Sequence, residues 1–476
     1  MNLRPTILMG SIALTSIIST SSCTKKEEHK RPKNILLIAI DDLRPELNCF
    51  GHTGIISPNI DQLAAQGTSF QRAYCNIPVS GASRSSLLTG TRPTRNTFLG
   101  AGSHASKDKK DKIAINDYLK ANGYRTEVRG KVFHSPEDHR SGWDSVHVNK
   151  YDNLYYLSAE NNNLQNQGLR GAPYECVEAP DDAYCDGSCA QEALKDLERL
   201  SKSDQPFFYA LGFFKPHLPF NAPKKYWDLY KDSLITLPDN YILKEGNNIP
   251  KRALTTWGEL RRYHGIPAKG AVSDSTAITL IRAYRACVSY VDAQIGLIIE
   301  QLEKLGIADE TAIVLFGDHG WNLGDHSLWC KHTILETCLH APLIVYDPTA
   351  QQKGYRCNEI VEFVDIFPTL CEIAELDIPK QAEGESLIPL INDTKAQSKG
   401  YAVSRWMQGY TLVTNDSLFY TEWWNKEDEV IEKMLFDHRT DPNENYNIAN
   451  LEENQKLTEK LGAKLKALRG AEFDKY

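Results

Sequence analysis

The run 34–40 (Asn-Ile-Leu-Leu-Ile-Ala-Ile) is apolar without interruption and bounded by charge. That predicts a strand buried on both faces, and so a place inside a parallel or mixed sheet. Segments 205–212 and 311–316 have the same character. Between them the period changes: Ile278, Ile281, Val288, Val291, Ile295, Ile298, Ile299 and Leu302 recur at helical spacing across 275–305, with Gly306 placed to cap. Shorter helices are predicted over 58–67 and 112–122, the second stopping at Gly123 before a strand over 124–129. Strand, helix and strand in alternation predict an α/β sheet covered by helices on both faces.

Past residue 385 the texture shifts to short alternating strands, 411–414 and 418–423, joined by a turn at Asn415 and Asp416 and followed by a charged helix over roughly 452–469. The organisation expected is a main domain over 34–385 and a small antiparallel sheet-plus-helix subdomain over 386–476. No internal repeat is evident.

The amino end reads differently. Arg4 precedes an apolar stretch, 7–18, too short to span a bilayer, and small residues lead to Cys23. This is the layout of a signal peptide over 1–22, and the cysteine directly after Thr20, Ser21 and Ser22 resembles the lipobox of bacterial lipoproteins. The resemblance implies a lipid on Cys23 and a solvated tether over 23–33, with an ordinary signal peptide and an incidental cysteine as the alternative. The expected location is that of an exported lipoprotein, in the periplasm or at the outer-membrane surface, attached to the membrane through that lipid.

Composition narrows the function classes. With 476 residues, 41% hydrophobic and 24% charged, the chain can bury one large core and a smaller module. A formal charge of −8 argues against a general polyanion clamp such as a nucleic-acid binder, so an anionic ligand must be met by a local basic site. Of 11 cysteines, Cys176, Cys185 and Cys189 lie close enough in sequence to bridge, and their spacing fits no zinc pattern.

Candidate chemistry gathers at strand ends. Asp41 and Asp42 follow the first buried run and Asp318 and His319 follow the last, and ligands of open α/β sheets bind at carboxyl ends of strands. Carboxylates converging there repel unless a cation neutralises them, and oxygen ligands suit Ca²⁺ or Mg²⁺. Acidic residues at strand ends also serve as turn formers and helix caps. Ser80 is expected at a helix start, where free amides favour an anion, with Arg84 one turn on along the same face.

Ser80-Gly81-Ala82-Ser83-Arg84 followed by Leu88-Thr89-Gly90 resembles the signature of the type I, formylglycine-dependent sulfatase family. Within that family the resemblance is to the iduronate-2-sulfatase branch and its bacterial relatives. It extends through Asp41-Asp42-Leu43-Arg44-Pro45, Ser57 to Ala64, Gly130-Lys131-Val132-Phe133-His134, Lys215-Pro216-His217, Asp318-His319-Gly320-Trp321 and Gly324-Asp325-His326, nearly the whole mature chain. The resemblance implies an alkaline-phosphatase-like mixed sheet sandwiched by helices, with the smaller C-terminal subdomain. It further implies that Ser80 is oxidised to formylglycine, that Asp41, Asp42, Asp318 and His319 hold a metal with residue 80, and that Arg84, Lys131, His134, His217 and Lys331 surround the sulfate and the leaving oxygen. Trp321 either borders the substrate pocket or packs beneath it.

A formylglycine hydrates to a geminal diol, so one hydroxyl can attack sulfur and the other can later expel sulfate by re-forming the carbonyl. No general base for an unmodified serine is legible beside Ser80. Ala82 and Ser80 replace the commoner proline and cysteine of the signature, which points to a serine-type maturase as partner. His319 replaces the asparagine of many sulfatases; Ca²⁺ is the expected ion, with Mg²⁺ open. The substrate implied is a sulfated oligosaccharide, with exo action on a 2-O-sulfated uronic acid of a glycosaminoglycan. Two other classes compete: a phosphatase or phosphodiesterase of the same superfamily using unmodified Ser80, and a non-catalytic glycan-binding lipoprotein.

Overall fold

The computed structural model describes Met1 and residues 33–147 and 156–469. The signal peptide expected over 1–22, apart from Met1, and the tether expected over 23–33 up to residue 32, including Cys23, fall outside the described residues. Eight strands form the main sheet: β1 (Asn34–Ile40), β2 (Thr68–Tyr74), β3 (Arg125–Gly130), β4 (Ser145–His147), β5 (Phe207–Phe213), β6 (Thr311–Gly317), β7 (Leu343–Tyr346) and β8 (Tyr355–Glu362). Their order is β8-β2-β7-β6-β1-β5-β3-β4. All neighbours run parallel except β7, which is antiparallel to both β2 and β6. The sheet is therefore mixed, with the three strands anticipated from continuous apolar runs, β5, β1 and β6, side by side at its centre.

Alternate residues of these strands feed two cores. Ile35, Leu37 and Ala39 of β1 face one side with α2 (Ser80–Thr89) and α5 (Ile366–Ile373), while Leu36, Ile38 and Ile40 face α3 (Cys185–Leu200) and α4 (Asp274–Lys304) on the other. Helix α4 realises the long periodic segment, opening on Ser273, whose side chain accepts from the Thr276 amide. An earlier helix, α1 (Pro58–Gln66), packs against it. Among the described residues no helix is long and apolar enough to cross a membrane.

The C-terminal part is a meander of β9 (Tyr401–Trp406), β10 (Gly409–Thr414), β11 (Leu418–Trp424) and β12 (Val430–Asp437), antiparallel throughout. Helix α6 (Gln455–Leu468) covers one face through Leu461 and Leu465. The other face joins the main core through Ala402, Val413, Phe419 and Met434. Cys176 is exposed on a short strand, Tyr174–Val177, whereas Cys185 and Cys189 are buried on α3.

Candidate active site

Sheet register assembles the site. Ile40 is level with Gly317, and the Asp318 amide donates to the Ile40 carbonyl at 3.1 Å, so Asp41–Asp42 and Asp318–His319 leave adjacent strands together. On the other side of β1, Gly130 pairs with Gly212 and the Lys131 amide donates to the Gly212 carbonyl at 3.0 Å, which brings Lys131 into the same row. This crossing of β3 and β5 requires glycine: a Cβ at Gly212 would lie 2.0 Å from the Lys131 carbonyl oxygen. Asp42 adopts φ 62°, and the turn is held by the Tyr284 hydroxyl, which donates to the Asp42 carbonyl at 2.8 Å and accepts from the Arg44 amide.

Ser80 opens α2 after an extended Val79 and is buried. Its hydroxyl donates to Asp41 Oδ1 at 3.1 Å and lies 3.0 Å from His319 Nε2. His319 Nδ1 is 2.9 Å from the Gly320 carbonyl. A proton held there leaves the Nε2 lone pair facing Ser80. No base beside Ser80 is legible in the sequence; the structure brings His319 Nε2 to its hydroxyl as a second acceptor, competing with Asp41 for the one hydroxyl proton. The reason is that the end of β6 lies against the start of α2, a contact that separates the two residues by 239 positions.

Arg84 is fully buried. Its Nε donates to Asp318 Oδ2 at 2.8 Å, one terminal nitrogen to Asp41 Oδ1 at 3.3 Å, and the other to the carbonyls of Lys131 and Val132. Lys131 pairs with Asp41 Oδ2, and Lys331 reaches both oxygens of Asp42 at 2.7 and 3.0 Å. His217 Nε2 lies 3.8 Å from Asp42 and 3.4 Å from Glu259, with Nδ1 2.6 Å from the Leu218 carbonyl. His134 stands apart from this cluster. It is exposed, on the wall of an adjoining cavity shared with Lys131 and His217.

Electrostatics divide the carboxylates. Burial opposes ionisation of Asp41, but Lys131, His217, Arg84 and Lys331 outweigh it and hold the group well below the usual range. Asp42 goes the other way: burial, reinforced by Asp41 and Asp318, pushes it well above that range despite Lys331. Ligand atoms of Asp42, Asp318 and His319 all lie within 4.8 Å of one another. Two strand-end pairs with one carboxylate driven toward protonation by its neighbours form a donor set that a hard divalent cation fits. Burial, then Lys331, lowers His217 to about 3.

Of the two places open to Trp321 in sequence, the structure gives the packed one. Trp321 is fully buried, 6.3 Å from His217 and from Phe220 by ring centroids, with Lys331 Nζ 5.2 Å above its ring; it packs beneath the site and does not border the pocket. Glu259 went unnoticed in sequence, because it sits in an irregular segment without a motif. It approaches His217 at 3.4 Å and Lys331 at 3.9 Å.

The family model described as Sulfatase matches residues 33–376, and one described as N-sulphoglucosamine sulphohydrolase, C-terminal, matches 324–471. The chain is 33% identical over 416 residues to iduronate 2-sulfatase of Mus musculus, covering 78% of this chain and 73% of that one. It is 31% identical over 497 residues to a sulfatase of Formosa agariphila, covering 98% and 92%. A solved structure described as a 2-O GAG sulfatase shares the fold, with TM-score 0.73 and 21% identity over 94% of this chain and 93% of that chain.

Proposed function

Because the chain belongs to the sulfatase family and hydrolyses sulfate esters, we propose that it removes a 2-O-sulfate from a terminal uronic acid of a glycosaminoglycan, with Ser80 oxidised to formylglycine by a serine-type maturase. The observation that carries this reading is the position of Ser80 Oγ, at a helix start between Asp41 and His319 and amid Arg84, Lys131 and Lys331. Such a setting stabilises anions on residue 80 and on a bound sulfate. The relatives named above support the substrate: an iduronate 2-sulfatase in sequence and a 2-O sulfatase in fold.

Asp41, Asp42, Asp318 and His319, with residue 80, would hold Ca²⁺, Mg²⁺ being the alternative, and the ion supplies Lewis-acid polarisation of sulfate and a lowered hydroxyl pKa. Formylglycine supplies a second hydroxyl on the same carbon. The chain's other residues have separate tasks. Arg84 fixes Asp41 and Asp318 from behind, and Lys131 and Lys331 place positive charge where the sulfate oxygens arrive. His217, its Nδ1 turned to the Leu218 carbonyl, presents Nε2 as the group that hands a proton to the departing sugar oxygen; Glu259, 3.4 Å away, only partly offsets the burial and the Lys331 charge that disfavour the protonated ring before substrate arrives. His134 is the alternative donor from the cavity wall. The lipid on Cys23 would keep the enzyme in the periplasm or at the outer-membrane surface, where polymer fragments arrive.

A second reading rests on His319. Its Nε2, 3.0 Å from Ser80 Oγ, could serve an unmodified serine attacking a phosphate ester. One experiment separates the two. Co-expressed with a serine-type maturase, the tryptic peptide 73–84 should be lighter by two hydrogens and react with carbonyl reagents, and the enzyme should release sulfate from unsaturated uronate 2-sulfate faster than from 6-O-sulfated glucosamine. Full sulfatase turnover by unmodified Ser80 protein, or preference for phosphate esters, would replace this reading with the second one.

A further inference from the structure

The cavity adjoining the site, about 520 Å³ in volume, carries two cations that sulfate chemistry does not require, Lys215 and Arg170, beside Lys131, His134 and His217. The Lys215 ammonium is buried and donates to the carbonyls of His217 and Pro219. Lys131 is paired with Asp41, and His217 faces Asp42 and Glu259. Arg170 has no such commitment: among the described residues it forms no ion pair with a carboxylate. Glu259, the acidic neighbour whose charge it influences, is engaged by His217 and Lys331.

Arg170 is nevertheless held in place. Its backbone makes an isolated parallel bridge to Tyr263, and its guanidinium lies 5.1 Å from the centroid of the Tyr263 ring. Tyr263 is itself buried with Leu260 and Val272, and the His264 amide donates to the Gly171 carbonyl at 3.0 Å, so both sides of the bridge are anchored. An exposed arginine stacked on a buried ring has already lost part of its rotamer freedom, and its planar fork matches a carboxylate through two parallel hydrogen bonds.

We infer that Arg170 is a specificity residue that receives a carboxylate carried on the same sugar ring as the scissile sulfate. Arg170 lines the same small-ligand-sized cavity as Lys131 and His217, which places a second anion beside the ring that bears the sulfate. The inference rests on the uronate reading above and deepens it by naming the residue that tells a uronate from a neutral sugar.

The test uses matured enzyme, an unsaturated uronate 2-sulfate, and its carboxyl-reduced analogue with a hydroxymethyl group in place of the carboxylate. Wild type should prefer the carboxylate form in kcat/KM by about tenfold to a hundredfold, the range of a charge-assisted hydrogen-bonded pair. Arg170→Ala should raise KM for the uronate by that factor with kcat little changed, and leave the reduced analogue unaffected. Arg170→Lys should recover part of the preference. Equal loss on both substrates, or no loss on either, overturns the role of Arg170 while leaving the uronate reading standing. If wild type releases no sulfate from the uronate, that reading fails and the inference with it. Loss confined to a disulfated hexosamine would mean that the second anion is a sulfate, and the carboxylate assignment is wrong.

Discussion

Four of the five N–H donors of the Arg84 guanidinium are taken, by Asp318, Asp41 and the carbonyls of Lys131 and Val132. Arg84 acts as a positioning residue, and the carboxylates that it fixes carry the cation chemistry. Asp318 is the most exacting of these, because one oxygen accepts from Arg84 Nε and the other from the Asp42 amide at 3.0 Å. Asp318→Asn removes a ligand charge and swaps one acceptor for a donor, so turnover should fall by about 10²-fold or more. A ligand that binds only the folded state raises its melting temperature, so chelation should lower that of wild type and leave the variant unmoved. Equal chelation shifts in both proteins would remove Asp318 from the donor set. Ser80 and Arg84 were legible because one helical turn ties them in sequence. Glu259 was not, because nothing local brings it to His217.

Where α2 begins, one position has no spare room. A Cβ on Gly81 would stand 2.1 Å from the Ala101 carbonyl oxygen, which is backbone and cannot swing aside. Gly81→Ala should therefore shift the first turn of α2 against segment 98–103 and displace Ser80 with it. A stability loss of about 1–3 kcal/mol, typical of forced overpacking, should appear in denaturant melts together with loss of sulfate release. Gly102→Ala, where a Cβ meets nothing within 4 Å, serves as the silent control. Comparable behaviour of the two variants would refute this packing argument. At this scale the central strands β1, β5 and β6 were legible from unbroken apolar runs, as was α4 from its period. Neither β2 nor β8 was: Thr68–Tyr74 and Tyr355–Glu362 mix charged and apolar residues, and their pairing is set by partners hundreds of positions away. The reversed direction of β7 is likewise a property of pairing and not of its four apolar residues.

Over the whole molecule, the change of texture near residue 385 invites a cut there, but the C-terminal meander is tied into the main sheet by buried bonds. Glu362 at the end of β8 accepts from the Val403 amide at 3.0 Å and from Asn76 at 2.8 Å, and it pairs with Arg92 and Lys399. Asn76 also donates to the Val403 carbonyl, the Arg405 amide donates to Asn76, and the Ser404 hydroxyl donates to the Cys75 carbonyl. Trp406 lies tilted against His332, the neighbour of Lys331, with ring centroids 5.4 Å apart, so the meander also braces the cationic end of the site. A chain ending at 385 would leave Glu362 and Arg92 without Lys399 and Val403 and would expose the core face that Ala402, Val413 and Phe419 cover. Breaking a buried ion pair of this kind costs about 3–5 kcal/mol, a large share of the 5–15 kcal/mol that holds a typical domain. Residues 33–385 alone should therefore fail to give a sharp melting transition. The full chain should unfold in one step, with calorimetric and van't Hoff enthalpies equal and with tryptophan fluorescence and far-ultraviolet dichroism coincident. Two separated transitions, or a folded and active 33–385 fragment, would show that the meander is an independent module and that Lys331 and His332 hold their places without it.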